Sequence, residues 1–151
     1  MFSWHSGDSI VVDYPDGLIL IVTGSTLRAE QMDRPLAYYL QAQVEQLSSG
    51  RENCLGLVIS DRFYLTHPDL HFLPLISIGG PGVNRLASKL LKKLPALMTS
   101  EGRFYIQMDP CWEETRVSIW GLDNAQTKMA VVTFAERFLQ RFTEIAWQCN
   151  K

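Results

Sequence analysis

Apolar residues fall into two rhythms along this chain, and the switches between them predict its architecture. Leu18-Ile-Leu-Ile-Val22, Leu55-Gly-Leu-Val-Ile-Ser60 and Leu75-Ile-Ser-Ile78 are short, nearly unbroken apolar runs, the pattern of strands covered on both faces. Between them the spacing becomes helical. Leu36, Leu40, Val44 and Leu47 recur every three or four residues after Asp33-Arg34-Pro35, an N-cap candidate with proline near the first helical position, and Ser48-Ser-Gly50 stops the run. Val83, Leu86, Ala87, Leu90, Leu91 and Leu94 define a second helix that Pro95 ends, with Lys89, Lys92 and Lys93 on or beside its wet face. Gly121-Leu-Asp-Asn124 feeds a last long helix. Met129, Val132, Ala135, Phe138, Leu139, Phe142 and Ala146 form its inward stripe, and Glu136, Arg137, Arg141 and Glu144 stand mainly outward.

The remaining strands come with turn signals. Residues 10–14 and 18–23 flank Pro15-Asp16-Gly17, which predicts an antiparallel hairpin. Residues 103–108 and 116–120 are joined by a loop short enough for another. The order β-β-α-β-(short helix)-β-α-β-β-α predicts a single α/β domain over residues 1–151. Its architecture is a three-layer α-β-α sandwich with a mixed, mostly parallel central sheet and antiparallel strands at one or both edges. Right-handed crossovers then bring the turns at 23–26, 60–64, 79–84 and 121–127 to one rim, where ligands bind in open α/β sheets.

Length and charge narrow the partners. A chain of 151 residues buries roughly two-thirds of its unfolded surface in one core without staples. Its net charge of -2 gives no global field to recruit nucleic acid or an anionic membrane, so neither is an expected partner. No stretch approaches the ~20 apolar residues of a membrane span and the N-terminus lacks a signal pattern, which predicts a cytoplasmic protein. Cys54, Cys111 and Cys149 form no C-x-x-C pair and read as free thiols used in packing.

Gly79-Gly-Pro-Gly-Val-Asn84 is the strongest site candidate. A strand that turns through glycines into a helix aims backbone N–H groups and a helix N-terminus at one small volume, which suits phosphate or carboxylate, with Asn84 or the backbone before the helix making the contacts. The same glycines would serve a tight turn and close helix packing with no ligand at all. Gly121 and Thr127 at the neighbouring turn complete a ligand-binding set of Gly79, Gly80, Gly82, Asn84, Gly121 and Thr127. The Gly-Lys-Ser/Thr ending of a P-loop and the G-x-G-x-x-G fingerprint are both lacking, so no cofactor is predicted. Gly80→Val is expected to disturb the junction, glycine holding a backbone angle that valine cannot adopt.

Other groups carry two readings each. Asp61 and Arg62 follow a buried strand and fit either catalysis and anion recognition or mutual pairing and capping. His67 and His71 have metal-ligand spacing, but no third ligand is evident, and Pro68 favours a surface turn; no metal is predicted. Ser25 and Ser60 lie outside any G-x-S-x-G elbow, and His5, His67 and His71 lack the chain order of a hydrolase triad. Trp112 and Trp120 either offer rings to a partner or pack half-buried.

Ile76-Ser-Ile-Gly-Gly-Pro-Gly-Val-Asn84 with its Leu-rich helix, then Arg116-Val-Ser-Ile-Trp-Gly121-Leu-Asp-Asn-Ala-Gln-Thr127, resembles the α/β unit of prokaryotic surface-layer and cell-wall-binding repeat proteins over about residues 75–140. That resemblance implies a Rossmann-like unit that binds or assembles without catalysing anything, but tandem repeats and an export signal are lacking. The Gly-Gly-Pro-Gly turn is also similar to that of Rossmann-like nucleotide phosphoribohydrolases, whose Pro-Gly-Gly-x-Gly-Thr-x-x-Glu motif is missing here. The expected function is therefore a soluble binding or assembly module, with a small anionic ligand and a homo-oligomer or protein partner. The alternative is a small hydrolase or nucleosidase acting on a phosphorylated substrate, with Asp61 as acid or base and Arg62 on the anion.

Overall fold

The structure, a computed structural model, describes residues 2–4, 10–12, 17–51, 54–99 and 101–148. The strands are β1 (Phe2–Trp4), β2 (Ile10–Val12), β3 (Gly17–Thr23), β4 (Cys54–Ser60), β5 (Leu75–Ile78), β6 (Ala96–Thr99), β7 (Phe104–Met108) and β8 (Arg116–Gly121). The helices are α1 (Leu27–Met32), α2 (Arg34–Leu47), α3 (Asp61–Thr66), α4 (Arg85–Leu90), α5 (Asn124–Arg137) and α6 (Leu139–Gln148), with a 3-10 turn at Pro68–Leu70.

Six strands form one mixed sheet in the order β4-β3-β5-β8-β7-β6. The first four are parallel, and β7 and β6 complete one edge in antiparallel pairing. Side chains alternate along β3, so its seven buried residues serve both faces. Ile19 and Ile21 join a core with α2, α5 and α6, while Leu18, Leu20 and Val22 join one with Tyr64, Leu70 and α4. Each fully buried Leu or Ile contributes about 1.5–3 kcal/mol. The three-layer α/β sandwich read from the sequence is the fold observed.

After β4 the chain returns past β3 to form β5 on its other side, so the strand order reverses between β3 and β5. Helix α2 covers one face and α3 with α4 the other. The crevice at this reversal is where loops diverge and leave room for a ligand.

Several expectations need correcting. Strand β2 pairs antiparallel with β1, with Phe2 opposite Val12, and not with β3. Both edges of β3 are taken by parallel partners, leaving none for a hairpin; Pro15 and Asp16 lie outside the described residues. The helix expected from Val83 is only Arg85–Leu90, flanked by turns. Strand β6 is not predicted by the sequence pattern, because three of its four residues are exposed and carry no burial alternation. The last helix breaks at Phe138, whose φ of -125° leaves the helical region. Consequently α5 buries Thr127, Ala130, Val131 and Phe134, and Met129 is exposed. Cys54 is buried, Cys111 is exposed rather than packed, and Cys149 lies outside the described residues. Among the described residues no helix is long and apolar enough to cross a membrane.

Candidate functional site

The turns after β3, β4, β5 and β8 leave the same end of the parallel strands, as their registers require. Two glycines permit their close approach. Gly24 lies so near the β5–α4 turn that an added Cβ would stand 1.8 Å from the Val83 carbonyl oxygen. Gly79 has φ +106°, a region costly for side chains, and a Cβ there would stand 2.7 Å from Asp33 Oδ2. The demanding backbone angle expected at Gly80 therefore belongs to Gly79: Gly80 has no positive φ, and its Cβ would meet the Trp120 ring at 3.4 Å.

Asn84 and Asp61 hold the turns in place. Asn84, 1 % exposed, accepts from the Leu86 and Ala87 amides at 2.9 and 3.2 Å, the N-cap bonds of α4. Its Nδ2 donates to the Ile78 carbonyl at 2.9 Å, to Ser77 Oγ at 3.1 Å and to the Val22 carbonyl at 3.3 Å, tying β3 to β5 at the reversal. Asp61, 2 % exposed, accepts from the Ser25 hydroxyl and, through Oδ2, from the Arg85 amide at 2.7 Å. Its Oδ1 also takes the Arg62 amide at 2.7 Å. These two side chains engage the amides at the start of α4, so the helix end once expected to face an anion is already capped.

The open volume lies to one side of that turn. A cleft of about 270 Å³ is lined by Gly80, Gly82, Trp120, Asn124, Arg28 and Asp33, among others. Gly121 and Thr127 form part of the same wall, where the Gly121 amide donates to Thr127 Oγ1 at 3.0 Å. Gly79 sits beneath, its amide bonded to the Ile119 carbonyl at 2.9 Å. Within the turn, the Val83 and Asn84 amides return to the Gly80 carbonyl, while those of Gly80 and Gly82 have no partner among the described residues. Helix α5 begins at the opposite wall. Asp123 caps it through the Gln126 amide at 2.8 Å, and the Oδ1 atom of Asn124 is buried without a hydrogen bond.

Asp33 is the group in this cleft that the sequence did not single out as chemical. It joins α1 to α2 and stands at the N-cap position of α2 as expected, with Pro35 just inside and its carbonyl accepting from the Ala37 amide at 3.1 Å, but its backbone is already αR and its side chain makes no cap hydrogen bond. Its side chain is buried, and burial pushes its carboxyl from 3.8 up to about 6 against the opposing pull of Arg28.

A second hollow of about 250 Å³ opens on the other side of the turn, where Arg62 and Arg85 accompany Ser25 and Gly82. The cluster expected at one rim is thus divided by the turn: Gly80, Gly121 and Thr127 on one side, Asp61, Arg62 and Asn84 on the other, with Gly82 bordering both. His67 and His71 stand apart from both, and His5 lies outside the described residues. The ring of His67 stacks on Phe63 at 4.0 Å and that of His71 on Tyr64 at 4.4 Å, each with a ring nitrogen 2.8 Å from the carbonyl of its stacking partner. Among the described residues no group of three His, Cys, Asp or Glu could hold a metal. Trp112 packs half-buried near Phe142, and Trp120 stacks on Tyr105 while donating to Gln107 at 2.9 Å. No protein-family model matches the sequence, and no curated protein matches it.

Proposed function

We propose that this protein is a non-catalytic binding module that takes a small anionic ligand at the C-terminal rim of its parallel strands, in the cleft between the Gly80–Gly82 turn and the start of α5. One observation carries the reading. The turn amides of Gly80 and Gly82, which have no partner among the described residues, the first turn of the fourteen-residue α5, where Asp123 engages the Gln126 amide, and the guanidinium-bearing Arg28 all border one cleft. A helix of that length places about half a positive charge at its N-terminus, and backbone amides add donors that need no reorganisation. At about 270 Å³ the cleft falls just below the ~300 Å³ at which drug-sized pockets begin, which favours a phosphate or sugar phosphate over a dinucleotide.

The likeness of residues 75–140 to surface-layer and cell-wall-binding units supports the binding side of this reading. A hydrolase or nucleosidase working through Asp61 has less support, since both carboxylate oxygens of Asp61 are engaged in the fold. We place the module in the cytoplasm, in keeping with the free thiols of Cys54 and Cys111.

Calorimetric titration with inorganic phosphate, pyrophosphate, sugar phosphates and 5′-nucleotides tests the reading. At least one of these anions is expected to bind and to be recovered unchanged, with affinity reduced severalfold in Arg28→Gln. No binding at millimolar concentration, or recovery of a hydrolysed product, would overturn it.

A further inference from the structure

Asp33 is poorly explained as a structural residue. It is 6 % exposed, its carboxylate accepts no hydrogen bond among the described residues, and only its backbone, not its side chain, caps the two helices it joins. Its oxygens are not among the wholly enclosed unpaired polar atoms, so they keep a narrow opening to the cleft, and a nearly buried carboxylate with no protein donor is costly to keep without a use. The fold nevertheless makes room for it, since any side chain at Gly79 would press on Oδ2. Its remaining outlet is the cleft that it lines.

We propose that Asp33 receives hydroxyl groups of the ligand, and that the ligand is a small phosphorylated polyol of about pentose-phosphate size. This rests on the anion reading above and specifies the rest of the molecule. The phosphate takes the Gly80 and Gly82 amides, the start of α5 and Arg28, which leaves Asp33 to the uncharged part. A second anion there would be repelled by Asp33 and by Asp123 across the cleft, and a cationic group, though drawn to these carboxylates, would face Arg28 and the positive helix end. Neutral hydroxyls satisfy both conditions. Two neighbouring hydroxyls supply two donors to the two oxygens of one carboxylate, bonds strengthened by its charge. The volume of about 270 Å³ admits one such unit.

The experiment titrates the intact protein with inorganic phosphate and with ribose 5-phosphate at mildly alkaline pH, comparing wild type, Asp33→Asn and Arg28→Gln. The wild type is expected to prefer ribose 5-phosphate by about tenfold or more, the worth of one to two good hydrogen bonds. Asp33→Asn is expected to lose most of that preference while holding inorganic phosphate at least as well, having shed a negative charge. Arg28→Gln is expected to weaken both ligands alike. A circular-dichroism melt of Asp33→Asn separates lost recognition from lost folding. Equal binding of the two ligands by the wild type, or a preference that survives Asp33→Asn, would overturn the role of Asp33 and leave the anion site standing. Failure of the wild type to bind either ligand would overturn both.

Discussion

Asp33 destabilises the fold at neutral pH. Its folded carboxyl titrates at about 6 against an ordinary value of 3.8, so the folded state holds the proton more tightly than the unfolded chain. The favourable contribution is therefore complete below the unfolded value and is lost as pH rises through about 6. Arg28 faces the group from α1 and Asp123 from across the cleft, while Arg34 is turned to Tyr38 at 2.9 Å and Glu30 at 3.7 Å. At about 1.4 kcal/mol per pKa unit, Asp33→Asn should gain ~1–3 kcal/mol near pH 8 and almost nothing near pH 4. Urea unfolding at the two pH values checks this, and a gain of equal size at both would refute the burial account. Asn84→Ala should act oppositely, losing ~2–4 kcal/mol, because a helix cap and buried carbonyls lose their partner together. The sequence marked both residues but not their roles. An aspartate two residues before a proline looks the same at a helix start and at a joint between helices, and an asparagine after a glycine turn looks the same as a cap or as a ligand contact.

Among the elements, the β5–α4 turn was the most legible and the most misread in detail. Its glycines were visible as a turn, yet which one bears the constraint depends on neighbours far away in sequence. Gly24→Ala should destabilise by ~1–3 kcal/mol because its methyl would overlap a backbone carbonyl that cannot rotate aside. Gly82→Ala should stay within about 0.5 kcal/mol, since the added carbon meets nothing within 4 Å and φ is ordinary. Thermal melts of the pair would decide it; equal losses would mean that the turn is strained throughout. The buried strands were readable because burial on both faces leaves an unbroken apolar run. Strand β6 and the break at Phe138 were not. An exposed edge strand has no burial period, and one helical period drawn across α5 and α6 averages two stripes that the break sets out of phase, which is how the exposed Met129 came to be assigned inward.

At the level of the whole molecule, the cleft stands at the ends of the strands that hold the two cores together. Leu20, Ile21, Val22, Ile76, Ile78 and Ile119 are wholly buried, and β3, β5 and β8 end in turns that border the site. Strand β6 lies at the antiparallel edge, largely exposed and paired on one side only. Amides of the central strands should then exchange with solvent only by global unfolding, and those of β6 by local opening. A ligand held between the Gly80 turn and α5 can bind only while the β5–β8 junction is intact, so its binding energy adds to the global barrier. At one hundred times its dissociation constant the gain is about 2.7 kcal/mol, which corresponds to roughly a hundredfold slower exchange. Hydrogen exchange with and without a saturating sugar phosphate should show that slowing at Leu20–Val22 and Ile76–Ile78 with little change at Met98 and Thr99. Slowing confined to the turn amides would mean that the site rides on loops independent of the sheet, and slowing in β6 as large as in β3 would place the ligand at the sheet edge instead.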